Sequence, residues 1–290
     1  MADASRRLWQ SCLCCSEGAG ISRRGFMAQA AGAALTAGLL PRRAGAQARP
    51  GRIDVHHHFA PAFHRDALGT KRGGAWPTWS PQLSLEEMDK NGIATAILSA
   101  VQPGTWFGKA EESRPLVRQL NDYGATLVRD HSGRFGLFAC ITPPDVEGSL
   151  KEIEYGLDTL KADGISLFTS YGTQYLGDPS FAPVYAELNR RKALVYVHPI
   201  APDCCKALVP GIPVGAIEYA TDTTRSIAHL VFSGTATQFP DIRWIFSHSG
   251  GTLPFLTGRF TRLADERKPA FLPDGPLPGP CRGRNSCVTP

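Results

Sequence analysis

The chain has 290 residues, 42% hydrophobic and 20% charged, enough apolar material for a buried core. The formal net charge is +5, but residues 1–46 carry six arginines against two acids, so the remainder is close to neutral. That excludes a nucleic-acid groove, which needs Lys and Arg clustered on the body of the fold.

In Ser22-Arg23-Arg24-Gly25-Phe26-Met27, paired arginines precede an apolar stretch over 28–40. Such a stretch suits the core of a signal peptide and is too short to span a bilayer as a helix. Ala44-Gly45-Ala46 then supplies small residues for cleavage after Ala46. The twin arginine followed by Phe resembles the signal that exports folded proteins. We expect a signal peptide over 1–46, a periplasmic or secreted product, and no stable membrane span once the signal is removed. Cys12, Cys14 and Cys15 leave with it, and their C-x-x-C spacing does not recur, so a zinc ribbon in the body is not expected. Of the rest, Cys140 sits in an apolar run and reads as a core residue, Cys204 and Cys205 are adjacent in a loop, and Cys281 and Cys287 lie in the tail.

From Arg49-Pro50 onward, apolar β-rich runs alternate with amphipathic segments. The spacing predicts strands over 53–58, 94–100, 135–141, 164–168, 193–198 and 242–248. They are short and nearly all apolar, as in a parallel sheet covered on both faces. Between them, Ser84 with Glu87 reads as a capping box with Gly92 ending the helix. Leu116, Val117, Leu120, Tyr123, Leu127 and Val128 follow helical spacing. Ser149 with Glu152 reads as a second capping box, opening a helix that Gly164 ends. Phe181, Val184, Tyr185 and Leu188 line the next helix, and Ile227, Leu230 and Val231 another that stops before Pro240. Repeated strand–helix units imply a parallel sheet with right-handed crossovers. Six in a row, with no Gly-x-Gly-x-x-Gly after the first strand, favour a TIM-type (β/α)8 barrel with about six of eight strands present. One barrel domain over 47–278 and an irregular tail over 279–290 are expected.

Histidines end three of these strands. Alternation in Asp54-Val55-His56-His57-His58 sends His56 and His58 to one face, able to grip one metal ion, and His57 to the other, facing the helices. The fifth strand ends in Val197-His198-Pro199 and the sixth in Phe246-Ser247-His248-Ser249-Gly250-Gly251. Each alone reads as an ordinary core histidine. Three at the C-terminal mouth of one barrel, where catalytic residues gather, read as a site.

With Met88-Asp89-Lys90-Asn91-Gly92-Ile93 and Arg134-Phe135-Gly136-Leu137, these motifs resemble the amidohydrolase superfamily over roughly 53–270. The nearest likeness is the branch containing aminocarboxymuconate semialdehyde decarboxylase. The resemblance implies that His56, His58 and His198 are zinc ligands and that His248 is the catalytic acid/base. It also implies a last ligand, an aspartate ending the eighth strand. No such strand follows Phe271; the chain runs on in Pro, Gly, Arg and Cys, and Asp265 and Asp274 are poor substitutes. The change in composition reads as a truncation or frameshift.

Among the remaining candidates, His64 could reach substrate from the loop after the first strand. His131 reads as a residue favoured by a helix C-terminus, and His229 as packing. No lysine ends the fourth strand, at Ser166-Leu167-Phe168-Thr169, so one divalent ion rather than two is expected. Trp76, Trp79 and Trp106 could line a pocket for a planar substrate, and Arg72 or Arg114 could pair with a carboxylate. The expected partner is a small-molecule substrate, and a homo-oligomer stays open. Three expectations follow: non-oxidative decarboxylation of an unsaturated or aromatic acid, hydrolysis of an ester, lactone or amide, or an inactive truncated remnant.

Overall fold

A computed structural model of the chain describes residues 51–69, 78–202, 204–205 and 208–266. The expected signal peptide and tail, Arg72, Trp76 and Asp274 lie outside these residues. Asp265 falls on the last described helix.

The elements run in chain order as β1 (Ile53–Phe59), α1 (Ala62–Leu68), α2 (Pro81–Lys90), β2 (Thr95–Ala100), α3 (Ala110–Asp130), β3 (Phe135–Cys140), α4 (Val146–Glu154), β4 (Gly164–Phe168), β5 (Ser170–Tyr171), β6 (Gln174–Tyr175), α5 (Ala182–Arg190), β7 (Leu194–His198), α6 (Val214–Phe232), α7 (Thr235–Gln238), β8 (Arg243–Phe246) and α8 (Leu253–Glu266). Six strands form one sheet in the order β1-β2-β3-β4-β7-β8, every pair parallel. β5 and β6 form a separate antiparallel hairpin. This is an incomplete α/β barrel of TIM type, as the strand–helix alternation implies.

Two apolar layers hold the sheet. On one side Leu98, Leu137, Ala139, Ile165, Leu167, Val195 and Val197 pack against helices in the main core, with Leu120 of α3 and Val184, Tyr185 and Leu188 of α5. On the other side Ile97, Phe138 and Tyr196 pack together with Val55 and Ile245. Phe138 and Tyr196 stack at 5.2 Å between ring centroids. Strands buried on both faces explain the continuous apolar runs. Among the described residues no helix is long and apolar enough to cross a membrane.

Both capping boxes are corrected. Ser80, immediately before Pro81, caps α2 by accepting from the Leu83 N–H, because Pro is pre-set for the first helical position. Ser84 lies inside the helix, buried. Asp145, not Ser149, caps α4, accepting from the Gly148 N–H and held by a two-pronged contact from Arg114. α4 runs on through a π turn (Tyr155–Thr159), and Lys161, at φ 57°, makes the turn; Gly164 opens β4. The bend at Lys161 is backbone that a sequence pattern does not reveal. Cys140 is in the core, as expected, where burial raises its thiol pKa to about 11. Cys204 and Cys205 are joined by a disulfide.

Candidate metal centre and mouth

β1 begins the site. A register shift between Asp54 and His57 marks where β1 departs from regular pairing with β2. Beyond it, His56 and His58 project to one side and His57 to the other. His57 Nδ1–H donates to Asp54 Oδ2 at 3.2 Å, and the Ser84 hydroxyl of α2 donates to His57 Nε2 at 2.9 Å. Trp79 Nε1 in turn donates to Ser84 Oγ at 3.1 Å. This chain locks the helix-facing histidine, as expected for His57, and so fixes the rotation of the strand that carries its neighbours. Trp79 is thereby committed to packing, beside Phe59 and Tyr123, instead of lining the mouth.

His198, at the end of β7, meets the β1 pair. His56 Nε2 and His58 Nε2 lie 3.2 Å apart, and His58 Nε2 and His198 Nε2 3.1 Å. All three ligand atoms fall within 4.8 Å of one another. The Nδ1–H of His198 donates to the Pro199 carbonyl at 2.7 Å, which leaves its Nε2 as a lone pair. Burial drives His56 down to about 4 and His58 to about 3, and holds His198 well below the usual histidine range. At neutral pH the three rings are therefore uncharged. Three imidazole nitrogens gathered this closely can each turn a lone pair on one shared cation, so the donor set fits a divalent metal. No carboxylate joins the cluster among the described residues.

His248 stands at the cluster's edge, its ring 4.7 Å from His56 and 5.3 Å from His198 between centroids. The expected strand over 242–248 is corrected: β8 stops at Phe246, and His248 and Ser249 both take the left-handed conformation, at φ 51° and 55°. Such backbone at two non-glycine residues costs roughly 1 kcal/mol or more each and persists only where surroundings impose it. The imposing contacts are visible. Thr252 N–H donates to Thr224 Oγ1 at 2.9 Å, and Gly251, at φ 67°, passes so close to α6 that an added Cβ would sit 2.1 Å from the Ala220 carbonyl oxygen. The ring of His248 is exposed at the mouth, and partial desolvation lowers its pKa.

Three residues that the sequence analysis did not single out complete the mouth. Tyr219 of α6 places its ring 6.0 Å from His248 and 6.1 Å from His198. Gln102, two residues past β2, donates from Nε2 to Tyr219 Oη at 2.8 Å. Asp222, one turn beyond Tyr219 and fully buried, accepts from Thr169 Oγ1 and from Tyr175 Oη, the latter at 2.6 Å. Thr169 Oγ1 also accepts from the Ile200 N–H, and the Thr169 N–H donates to the His198 carbonyl. Asp222 thus ties α6, the β5–β6 hairpin and the backbone around His198 into one unit. Of the three, only Gln102 has a local feature that could have drawn notice, its place directly before Pro103-Gly104 at a strand end.

Other expected candidates fall elsewhere. His64 does not reach the mouth: it lies on α1, fully buried, its Nε2–H donating to the Gly104 carbonyl at 3.1 Å. Arg114 spends its charge on Asp145 and Glu147, the latter at 3.0 Å, away from the cluster. His131 caps the C-terminus of α3, as expected, with its ring against Phe135. Trp106 packs against the main core and His229 sits half-buried on α6.

Parallel barrel strands whose ends gather three metal-ready imidazoles, with a fourth histidine alongside, define a metal-site α/β barrel. The amidohydrolase family model matches residues 53–270, and the chain belongs to that family. A decarboxylase from Penicillium terrestre is 42% identical over 227 residues, covering 73% of this chain and 67% of its own. A 6-methylsalicylic acid decarboxylase from Aspergillus aculeatus is 38% identical, covering 77% and 69%. The chain thus spans about two thirds of the length of these curated relatives. A crystal structure of 5-carboxyvanillate decarboxylase from Novosphingobium aromaticivorans, complexed with manganese, shares the fold at a TM-score of 0.68 and 23% identity, covering 77% of this chain and 72% of that one.

Proposed function

We propose that this chain carries out metal-dependent, non-oxidative decarboxylation of an aromatic carboxylic acid. The observation that carries the reading is the convergence of three neutral Nε2 atoms with His248 at their edge. The relatives' activities favour a carboxy-lyase over a hydrolase, a choice the four histidines alone do not make. His56, His58 and His198 would hold one ion, assigned as zinc because three imidazoles and an open position suit it. When bound, the ion would supply positive charge that attracts the acid substrate and offsets negative charge building up during the reaction.

The protein residues then have defined work. The bond from ring carbon to carboxylate breaks, carbon dioxide leaves, and the electron pair stays on the ring carbon, which takes a proton. His248 is placed to deliver that proton, and its ring, exposed on one side, recharges from solvent. Tyr196, buried beneath the cluster with its ring 6.0 Å from His56, closes the floor against water.

The test is incubation of the zinc- or manganese-loaded chain with 6-methylsalicylic acid and other hydroxybenzoic acids, following carbon dioxide and the phenol product. Turnover that is lost in His248→Ala with metal content intact is expected. No product from any of these acids, by protein holding one ion per chain, overturns the reading. Export is part of the proposal and rests on Arg23-Arg24 ahead of the apolar stretch; cell fractionation of an Arg23→Lys, Arg24→Lys variant checks it. β1 and β8 are the outer strands of the described sheet, and a second copy of the chain is the proposed cover for such an edge, to be checked by light scattering.

A further inference from the structure

The proton on the Tyr219 hydroxyl has no acceptor among the described residues. Its oxygen accepts from Gln102 Nε2 at 2.8 Å, which occupies one lone pair and fixes where the oxygen sits. Exchanging the nitrogen and oxygen of the Gln102 amide would reverse that bond and leave the tyrosine oxygen as a free acceptor instead. In the assigned orientation Gln102 Oε1 is buried without a donor, so the pair is not a self-satisfied core contact. A half-buried tyrosine beside a metal cluster, anchored through its oxygen, differs from one that merely fills space.

The anchoring is redundant. Gln102 holds Tyr219 from across the mouth, 117 residues away in sequence. Asp222 clamps the next turn of α6 to Thr169 and Tyr175, and the Gly251 backbone presses on Ala220, the residue after Tyr219. The ring lies tilted 32° to that of His248 and within 6.1 Å of His198. A planar ring bound over the three Nε2 atoms would have its edge beside Tyr219.

We propose that Tyr219 is a specificity-determining residue whose hydroxyl hydrogen-bonds an oxygen substituent on the ring of an aromatic acid, with Gln102 as its positioning residue. The ligand class is a hydroxybenzoate, as opposed to a plain benzoate. The inference rests on the aromatic-acid reading of the site, but its readout is binding and needs no turnover.

Isothermal titration calorimetry with salicylate and with benzoate on the manganese-loaded chain tests it, comparing wild type, Tyr219→Phe and Gln102→Leu. Wild type should prefer salicylate. Tyr219→Phe should lose about tenfold of that preference, the worth of one hydrogen bond, with benzoate binding unchanged. Gln102→Leu should lose part of it, and it keeps the test open if Tyr219→Phe fails to fold. An unchanged salicylate-to-benzoate ratio in both variants overturns the inference, and so does an equal loss for both acids, which would mark a structural role. If turnover fails while the ratio still responds to Tyr219, the decarboxylase reading falls and this one stands. Wild type that binds neither acid sinks both.

Discussion

Replacing Gly251 by alanine should separate the placement of His248 from the assembly of the metal centre. The new Cβ would lie 2.1 Å from the Ala220 carbonyl oxygen and 2.9 Å from Thr224 Oγ1. The carbonyl belongs to the helix backbone and cannot yield. Ordinary contact begins near 3.4 Å, so the loop must retreat by about 1.3 Å. Gly251 also sits at φ 67° and ψ −130°, a region that other residues rarely enter, adding about 1–3 kcal/mol of strain. For a domain this size that corresponds to a fall in Tm of very roughly 2–12 °C. His248 is three residues upstream, and a misplacement of about 1 Å at a catalytic group costs on the order of 10²-fold in rate. His56, His58 and His198 lie on other strands and should keep their metal. The assays are elemental analysis, differential scanning fluorimetry and kcat on the hydroxybenzoate that wild type turns over. An unchanged Tm would refute the clash. A lowered Tm with kcat intact would refute the role given to His248.

The other expectations concern the cluster and its supports. His58→Ala should abolish stoichiometric zinc in elemental analysis, because it removes the nitrogen that touches both neighbours, at 3.2 and 3.1 Å. Asp222→Ala leaves the Thr169 and Tyr175 hydroxyls without an acceptor in a buried site and should cost about 2–4 kcal/mol in urea denaturation. Asp222→Asn should cost clearly less, since burial already raises the pKa of that carboxyl and disfavours its charge. Glu187, gripped by Arg190 and Arg191, is held down to about 2. A carboxylate with a depressed folded pKa stabilises fully above its unfolded value near 4.5 and loses that contribution as pH falls toward 2. Glu187→Gln should therefore flatten the decline of stability across that window in pH-dependent melting curves.

The four inner strands were legible because each is buried on both faces, while β1 and β8 are only partly buried, and the bounds of the six differ from expectation by one residue in most cases. The convergence of the three histidines was legible for a related reason: His56, His58 and His198 lie at or near the ends of sheet strands, so the pattern that marks the sheet also delivers them to one rim. The misplaced features depend on backbone geometry. Ser84 and Ser149 carry capping-box spacing, but Ser80 before Pro81 and Asp145 held by Arg114 compete better for the same helix ends. His248 continues an apolar strand in sequence, yet the strand gives way to left-handed residues pressed on α6. Tyr219, Gln102 and Asp222 stayed hidden because each becomes meaningful only through a partner 47 or more residues away.

His58 on the first strand and His198 on the fifth of the sheet are 140 residues apart in sequence, and their ring nitrogens face each other at 3.1 Å. Three intervening strands must bend for that distance to hold. Coordination of one ion by these two residues would be a chord drawn across the bend. It would resist flattening and close a long loop whose freedom the unfolded chain would otherwise keep. Metal occupancy and resistance to unfolding should rise together, and a chelator should soften the whole sheet as well as silence its rim.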